Sequence, residues 1–281
     1  MKKLIYLNLF VFFISNLGYS QTDPKADQFN GWIFYTGNHK LTEKWGLHTE
    51  YQFRRSDGFS KPMQNQIRLG IDYNFTKQVS ATIGWSYIET SAYGDFADEI
   101  PVKYNNYKFN EQRIWEQFII KHEHQGRFHF DSRFRLEQRW IANFVKENGV
   151  DFTRPSDAYL AANPTIEDWR YRQRARYRFR VQVPLTNSEM KDNTLFFVAA
   201  DEIFANFGKH ITANVFDQNR LYLALGWRFT KDTNIQLGYM NQFIEKGDGL
   251  HKENNHTMQV ALTHNIDFSK MFKSEKKEDK K

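Results

Sequence analysis

The chain has 281 residues, no cysteine, 17% aromatic residues and a net charge of +6, with a mean hydropathy of −0.72. Helical membrane spans need about 20 mostly apolar residues each, so a helical membrane protein is excluded; the missing thiols exclude disulfides and thiolate chemistry. Lys2, Lys3 and the tail Lys273–Lys281 carry most of the net charge, so the basic balance does not point to nucleic acid as a partner.

Lys2 and Lys3 precede an apolar run from Leu4 to Leu17, and Gly18, Tyr19 and Ser20 lead into polar Gln-Thr-Asp-Pro. A charged start, a short apolar run and small residues at its exit describe a secretory signal peptide over residues 1–20. Residues 21–28 read as a lead, 29–268 as one all-β domain, and 269–281, rich in lysine and acids, as a disordered tail.

From residue 29 onward, apolar and polar residues alternate. Trp45, Leu47, Thr49, Tyr51 and Phe53 alternate with Gly46, His48, Glu50, Gln52 and Arg54; the segments 66–75 and 79–87 repeat the pattern. So do 127–141, 169–183, 219–230, 234–244 and 255–266, and more weakly 29–38, 110–123 and 194–205. Most are far longer than the five or six residues of an average globular strand, and suit a tilted membrane-crossing strand of about nine to eleven. Short turns at Thr76–Gln78, around Gly126 and at Thr230–Asp232 alternate with polar loops over 89–109, 145–168, 206–216 and 245–254. That alternation predicts a single antiparallel up-and-down transmembrane β-barrel, with long loops outside the cell and short turns in the periplasm. Eleven crossings would leave the termini at opposite ends, whereas bacterial single-chain barrels have even counts. The expectation is therefore 10–12 strands, leaning to 12, with 29–38 falling short of a crossing or a long loop hiding another strand. The segment Phe75–Trp85 matches Phe229–Tyr239 in character, as repeated hairpins of such a barrel should.

In the segment 169–183, Arg170, Arg172, Arg174, Arg176, Arg178 and Arg180 alternate with Tyr171, Gln173, Ala175, Tyr177 and Phe179. A strand sends alternate side chains to opposite faces. In a membrane barrel the apolar face meets lipid and the arginines project into the lumen; in a soluble secreted sandwich, the alternative, the arginines face water.

The hairpin 110–140 permits a register test. With Gly126 in the left-handed position of a three-residue turn, Glu111 faces Arg139, Arg113 faces Glu137, Gln117 faces Arg133 and Glu123 faces Arg127. Trp115 then lies opposite Arg135, within cation–π reach, and Phe118, Ile120 and His122 meet Ser132, Phe130 and Phe128. Glu116 lands on the apolar face, where the pattern offers no reason for it. Inward cations on these strands outnumber the acids Glu111, Glu123, Asp131 and Glu137, with Glu50, Asp72 and Glu202 as further counter-charges. Arginine forks match carboxylate and phosphate, so Arg113, Arg133, Arg135, Arg139, the six-arginine ladder and Arg220 form a candidate anion-attracting wall. Glu111, Glu137, Glu202 and Asp217 are the lumen acids that would order it; pairing of Asp217 or Glu202 with the ladder is the simplest role for those two.

Motifs for phosphate loops, metal ligands or a nucleophile elbow are absent, and neither metal nor cofactor is implied. Ser132 and His122 share the lipid-facing side, which raises an alternative: an outer-membrane lipid hydrolase, with Glu116 as the nearest third member. Trp45 at one rim and Trp85, Tyr87, Trp140 and Trp169 at the other suggest interfacial aromatic bands.

The run Gly31-Trp32 … Lys44–Arg54, with Arg68–Tyr73, Glu111–Gln117, Phe134–Trp140, Asp201–Phe204 and Phe216–Arg220, resembles the outer-membrane barrels of domain of unknown function 2490, typical of Bacteroidota-like Gram-negative bacteria. The resemblance implies fold and place but no catalytic residue. The expected partners are outer-membrane lipid, the barrel-insertion machinery, which would read the last strand ending at Phe268, and an anionic small ligand. The expected function is a narrow anion-biased passage, or a binding or scaffold protein, with a mostly filled lumen.

Overall fold

The structure, a computed structural model, describes residues 25–91, 93–94, 109–122, 126–144, 166–209, 211 and 213–269. The expected signal peptide, most of the expected tail, Glu123 and much of the two longest loops lie outside the described residues. Among the described residues no helix is long and apolar enough to cross a membrane, which says nothing of crossing by strands.

The alternating segments form eleven strands: β1 Lys25–Lys40, β2 Trp45–Ser56, β3 Lys61–Asn74, β4 Val79–Thr90, β5 Phe109–Lys121, β6 His129–Phe144, β7 Ile166–Pro184, β8 Thr194–Phe207, β9 Phe216–Thr230, β10 Thr233–Glu245 and β11 Lys252–His264. Each pairs antiparallel with its sequence neighbours, and the sheet closes into a barrel through β1 and β11. An odd number of alternating strands makes the first and last run the same way, and the closing pair is parallel, with Lys25 opposite Lys252 and Thr36 opposite Thr263. The leaning to 12 strands is thus corrected to eleven among the described residues. The first strand does not fall short: it begins at Lys25, inside the expected lead, and runs as a full-length wall.

Parallel pairs are slightly weaker per residue than antiparallel ones, and side chains bridge this seam. Asn30 Nδ2 donates to Asn255 Oδ1 at 3.1 Å, and Asn254 Nδ2 to Asp27 Oδ1 at 2.7 Å. Phe268 lies past the end of β11 rather than in it; its amide donates to the Lys40 carbonyl at 2.8 Å and its ring meets His39 edge-on.

The repeated hairpin is built on threonine. Thr76 Oγ1 accepts from the Gln78 and Val79 amides, and Thr230 Oγ1 from those of Asp232 and Thr233, all at 3.0–3.2 Å. Thr42 does the same for Lys44 and Trp45, a third copy that the sequence reading passed over. A threonine hydroxyl thereby closes three of the connections at the short-turn end.

Faces follow the two-residue period. Ile83, Phe118, Leu225 and Leu237 point outward, each half or more exposed. Trp45, Tyr73 and Phe75 gather at the short-turn end, and Trp140 and Tyr171 pair toward the long loops. Inward stand Arg54, Arg68, Arg113, Arg135, Arg174 and Arg176, all buried, with Trp32, Trp115, Phe196 and Phe204. Trp115 lies flat on the wall because its neighbours are Gly70 and Gly84: a Cβ at Gly84 would overlap its indole.

The β5–β6 register departs from expectation by two residues. Arg113 faces Arg139, Trp115 faces Glu137, Gln117 faces Arg135, Phe118 faces Phe134 and Ile120 faces Ser132. Gly126 does adopt the left-handed conformation (φ 60°), but the ladder stops earlier, with the His122 amide on the Phe130 carbonyl, so the connection is wider than three residues. A two-residue shift keeps every side chain on its face, which is why the in-and-out reading survives. Arg127 caps strand-end carbonyls, donating to Pro184, Leu185 and Asn187 at 2.7–3.0 Å; its expected partner Glu123 lies outside the described residues.

Candidate functional site

The interior is crossed by a layer of ion pairs centred on Glu137, whose side chain is wholly buried. The two neighbouring strands and a third beyond them supply its partners: Arg174 at 2.6 Å and Arg176 at 2.7 Å from β7, Arg113 at 3.6 Å from β5 and Arg68 at 3.6 Å from β3. Arg68 also holds Glu50 at 2.8 Å. Toward the long loops, Glu111 lies between Arg113 and Arg139 at 2.5 and 2.6 Å, and Arg174 reaches Asp217 at 2.7 Å. Toward the short turns, Glu202 takes Arg133 at 2.6 Å and Arg176 at 2.9 Å, and Asp131 takes Arg178 and Arg180 at 2.9 and 2.7 Å.

The predicted wall residues therefore meet. Arg113, Arg133, Arg135, Arg139, Arg172, Arg174, Arg176, Arg178, Arg180 and Arg220 lie on interior strand faces, and Arg170 occupies the same face opposite Ile141. The acids Glu111, Glu137, Glu202 and Asp217 order them, and Asp217 and Glu202 pair with the ladder as expected. Two predicted direct oppositions, Glu111 with Arg139 and Arg113 with Glu137, become diagonal contacts because long arginines span the shifted register. Likewise, Arg135 stands over Trp115 at 4.7 Å without being opposite it. Asp72 instead accepts from Thr82 Oγ1 at 2.5 Å.

Four interior arginines, Arg54, Arg135, Arg172 and Arg220, have no carboxylate within ion-pair distance among the described residues. Glutamines hold three of them. Gln52 Oε1 accepts from Arg54 Nε at 2.9 Å, Gln218 Oε1 from Arg220 Nε at 3.1 Å, and Gln117 Oε1 from Arg135 Nη2 at 2.8 Å. An amide oxygen satisfies the guanidinium's hydrogen but leaves its charge. The sequence reading did not single out Arg54, Arg68 or Trp32 as functional. The available signal was a glutamine two residues before an arginine, on the same strand face, at 52/54, 66/68 and 218/220.

Cavities lie on both sides of the Glu137 layer. One of about 210 Å³, toward the long loops, is lined by Arg54, Arg68, Arg113, Arg139, Arg174, Arg176, Arg220 and Lys246 against only Glu111 and Asp217 as acids. The other, about 260 Å³, includes Arg133, Arg135, Arg178 and Arg180 with Glu50 and Glu202. Gln52, Arg68, Arg176 and Arg220 line both and so form the partition. At the long-loop rim Tyr93 donates to Glu253 at 3.4 Å; burial and the Glu253 carboxylate push its phenol well above the usual range, so it stays protonated.

On the outer face His122 Nε2 stands 2.9 Å from Ser132 Oγ, which also meets the Tyr177 hydroxyl at 3.2 Å. A nucleophilic dyad needs a third group to orient its base. Glu116 is six residues up the same strand, on the order of 20 Å away, and accepts from Gln138 Nε2 at 3.2 Å. That bond accounts for its place on the apolar side. Among the described residues no acid completes the pair, which the geometry explains as polar groups satisfying one another on an apolar surface.

A model of the family described as protein of unknown function DUF2490 matches residues 29–254. The chain is similar to a solved structure of the NanC porin in a rhombohedral crystal form, with a TM-score of 0.45 and 10% identity over 84% of this chain and 98% of that one. No curated protein matches the chain.

Proposed function

We propose, from the premise that the chain belongs to the DUF2490 family of proteins of unknown function, that it is an outer-membrane barrel whose interior attracts and holds small anions. Its long loops would face the outside of a Gram-negative cell and its short turns the periplasm. The exterior supports the membrane reading. Exposed Ile33, Leu69, Ile83, Phe118, Leu225 and Leu237 come from strands all around the barrel, whereas a protein in water exposes apolar patches of only a few hundred Å². Aromatic rings at two levels suit the two interfaces of a bilayer.

The observation that carries the anion reading is the set of interior arginines partnered by neutral amides. Fixed positive charge on low-dielectric walls concentrates anions and repels cations. The Glu137 layer separates the two cavities, so the barrel would retain an anion more readily than pass it. Purified protein in planar bilayers is expected to give small conductance, with a reversal potential in a salt gradient that favours the anion. A cation preference, or a large steady conductance, would contradict this reading.

A further inference from the structure

Two guanidinium groups share one indole. Arg54 Cζ stands 3.8 Å from the Trp32 ring centre and Arg220 Cζ 5.3 Å from the same ring. Arg54 is 7% exposed, and among the described residues neither arginine reaches a carboxylate. Each is bonded by a glutamine, which leaves two like charges at one indole in a poorly solvated interior. Their repulsion is relieved when an anion lies between them, and arginine forks bind carboxylate or phosphate oxygens in pairs. The cavity of about 210 Å³ against which they stand continues toward the long-loop rim, with Thr90, Ser91 and Gln64 among its lining. These neutral donors and acceptors suit hydroxyl groups, beside the cations that already line the cavity.

We propose that Arg54 and Arg220, over Trp32, form a binding site for the carboxylate or phosphate of a small polyhydroxylated anion, a sugar acid or sugar phosphate, that enters from the long-loop end. The site rests on the anion-attracting interior proposed above and names its ligand class. The anionic group lies between the two guanidiniums, and the hydroxylated body extends toward Thr90 and Ser91.

Isothermal titration of the full chain in detergent micelles, with glucuronate, glucose 6-phosphate, glucose and inorganic phosphate, tests this. The charged sugars are expected to bind, glucose not at all, and inorganic phosphate at least tenfold more weakly than glucose 6-phosphate. Arg54→Gln and Arg220→Gln should each weaken the charged sugars tenfold or more; Lys77→Gln, in an exposed turn, should not, and heat-modifiable gel migration verifies that each variant is folded. Arg220→Lys, which keeps the charge without the fork, should fall between. Inorganic phosphate binding as tightly as the sugars would overturn the ligand class, and charged-sugar binding that survives both glutamine variants would overturn the site; either leaves the anion-attracting interior standing. No binding of any anion overturns both.

Discussion

Replacing Glu137 by alanine is expected to lower the unfolding free energy by about 3–5 kcal/mol, the usual cost of removing one partner from a buried ion pair. The loss reads as a fall in the urea midpoint of the protein folded in lipid vesicles. Among the described residues, Glu137 is the one carboxylate that four arginines from three strands approach within 3.6 Å. Without it Arg174 keeps Asp217 and Arg176 keeps Glu202, but the centre of the layer gains an uncompensated positive charge far from bulk water. Glu137→Gln separates charge from shape: it retains the volume and loses the anion, and should come within about 1 kcal/mol of the alanine variant if charge dominates. Glu116→Gln is the outer-face comparison, expected to shift stability by less than about 1 kcal/mol because, among the described residues, Gln138 alone bonds it. A Glu137→Ala shift no larger than that of Glu116→Gln would remove the layer from its central place.

Leu237→Arg should destabilise the vesicle-inserted barrel by about 2–4 kcal/mol, the range for arginine at the bilayer midplane on a lipid face. Leu237 is 58% exposed and lies mid-strand in β10, flanked across the sheet by Leu225 and Val260. Were this face in water, the change would stay within about 0.5 kcal/mol, as exposed surface substitutions usually do. The two outcomes are well separated because exposure alone does not distinguish lipid from water, while an arginine does. Extraction of the variant from membranes under conditions that retain the wild type would be a second sign of the same effect.

The sequence carried the faces of the strands and their up-and-down order, but neither the β5–β6 register nor the parallel closing pair. The arginine ladder over 170–180 separated the two faces because a period of two leaves no third choice, and the closed barrel, with Arg174 and Arg176 buried, decides which of them is inside. Register was less legible. A slip of two residues leaves both faces unchanged and merely exchanges one set of charge pairs for another, and arginine is long enough to satisfy either. Strand number was misjudged for a related reason: nothing local in Lys25–Lys40 announces a parallel partner 227 residues away. The site was half visible. Glu137 with Arg113, Arg174 and Arg176, and Arg220 beyond them, could be read from their alternation, whereas Arg54, Arg68 and Trp32 were passed over, because they lie on β1–β3 and meet these residues only after closure.

The central claim, that the apolar exterior meets lipid and the arginines line the hollow, is open to direct measurement because the chain has no cysteine. A nitroxide on Leu237→Cys in vesicles is expected to collide readily with oxygen and to be shielded from a water-soluble nickel complex, with a label on Lys231→Cys in the β9–β10 turn as the aqueous reference. Equal nickel accessibility at both positions would place this face in water and contradict the account.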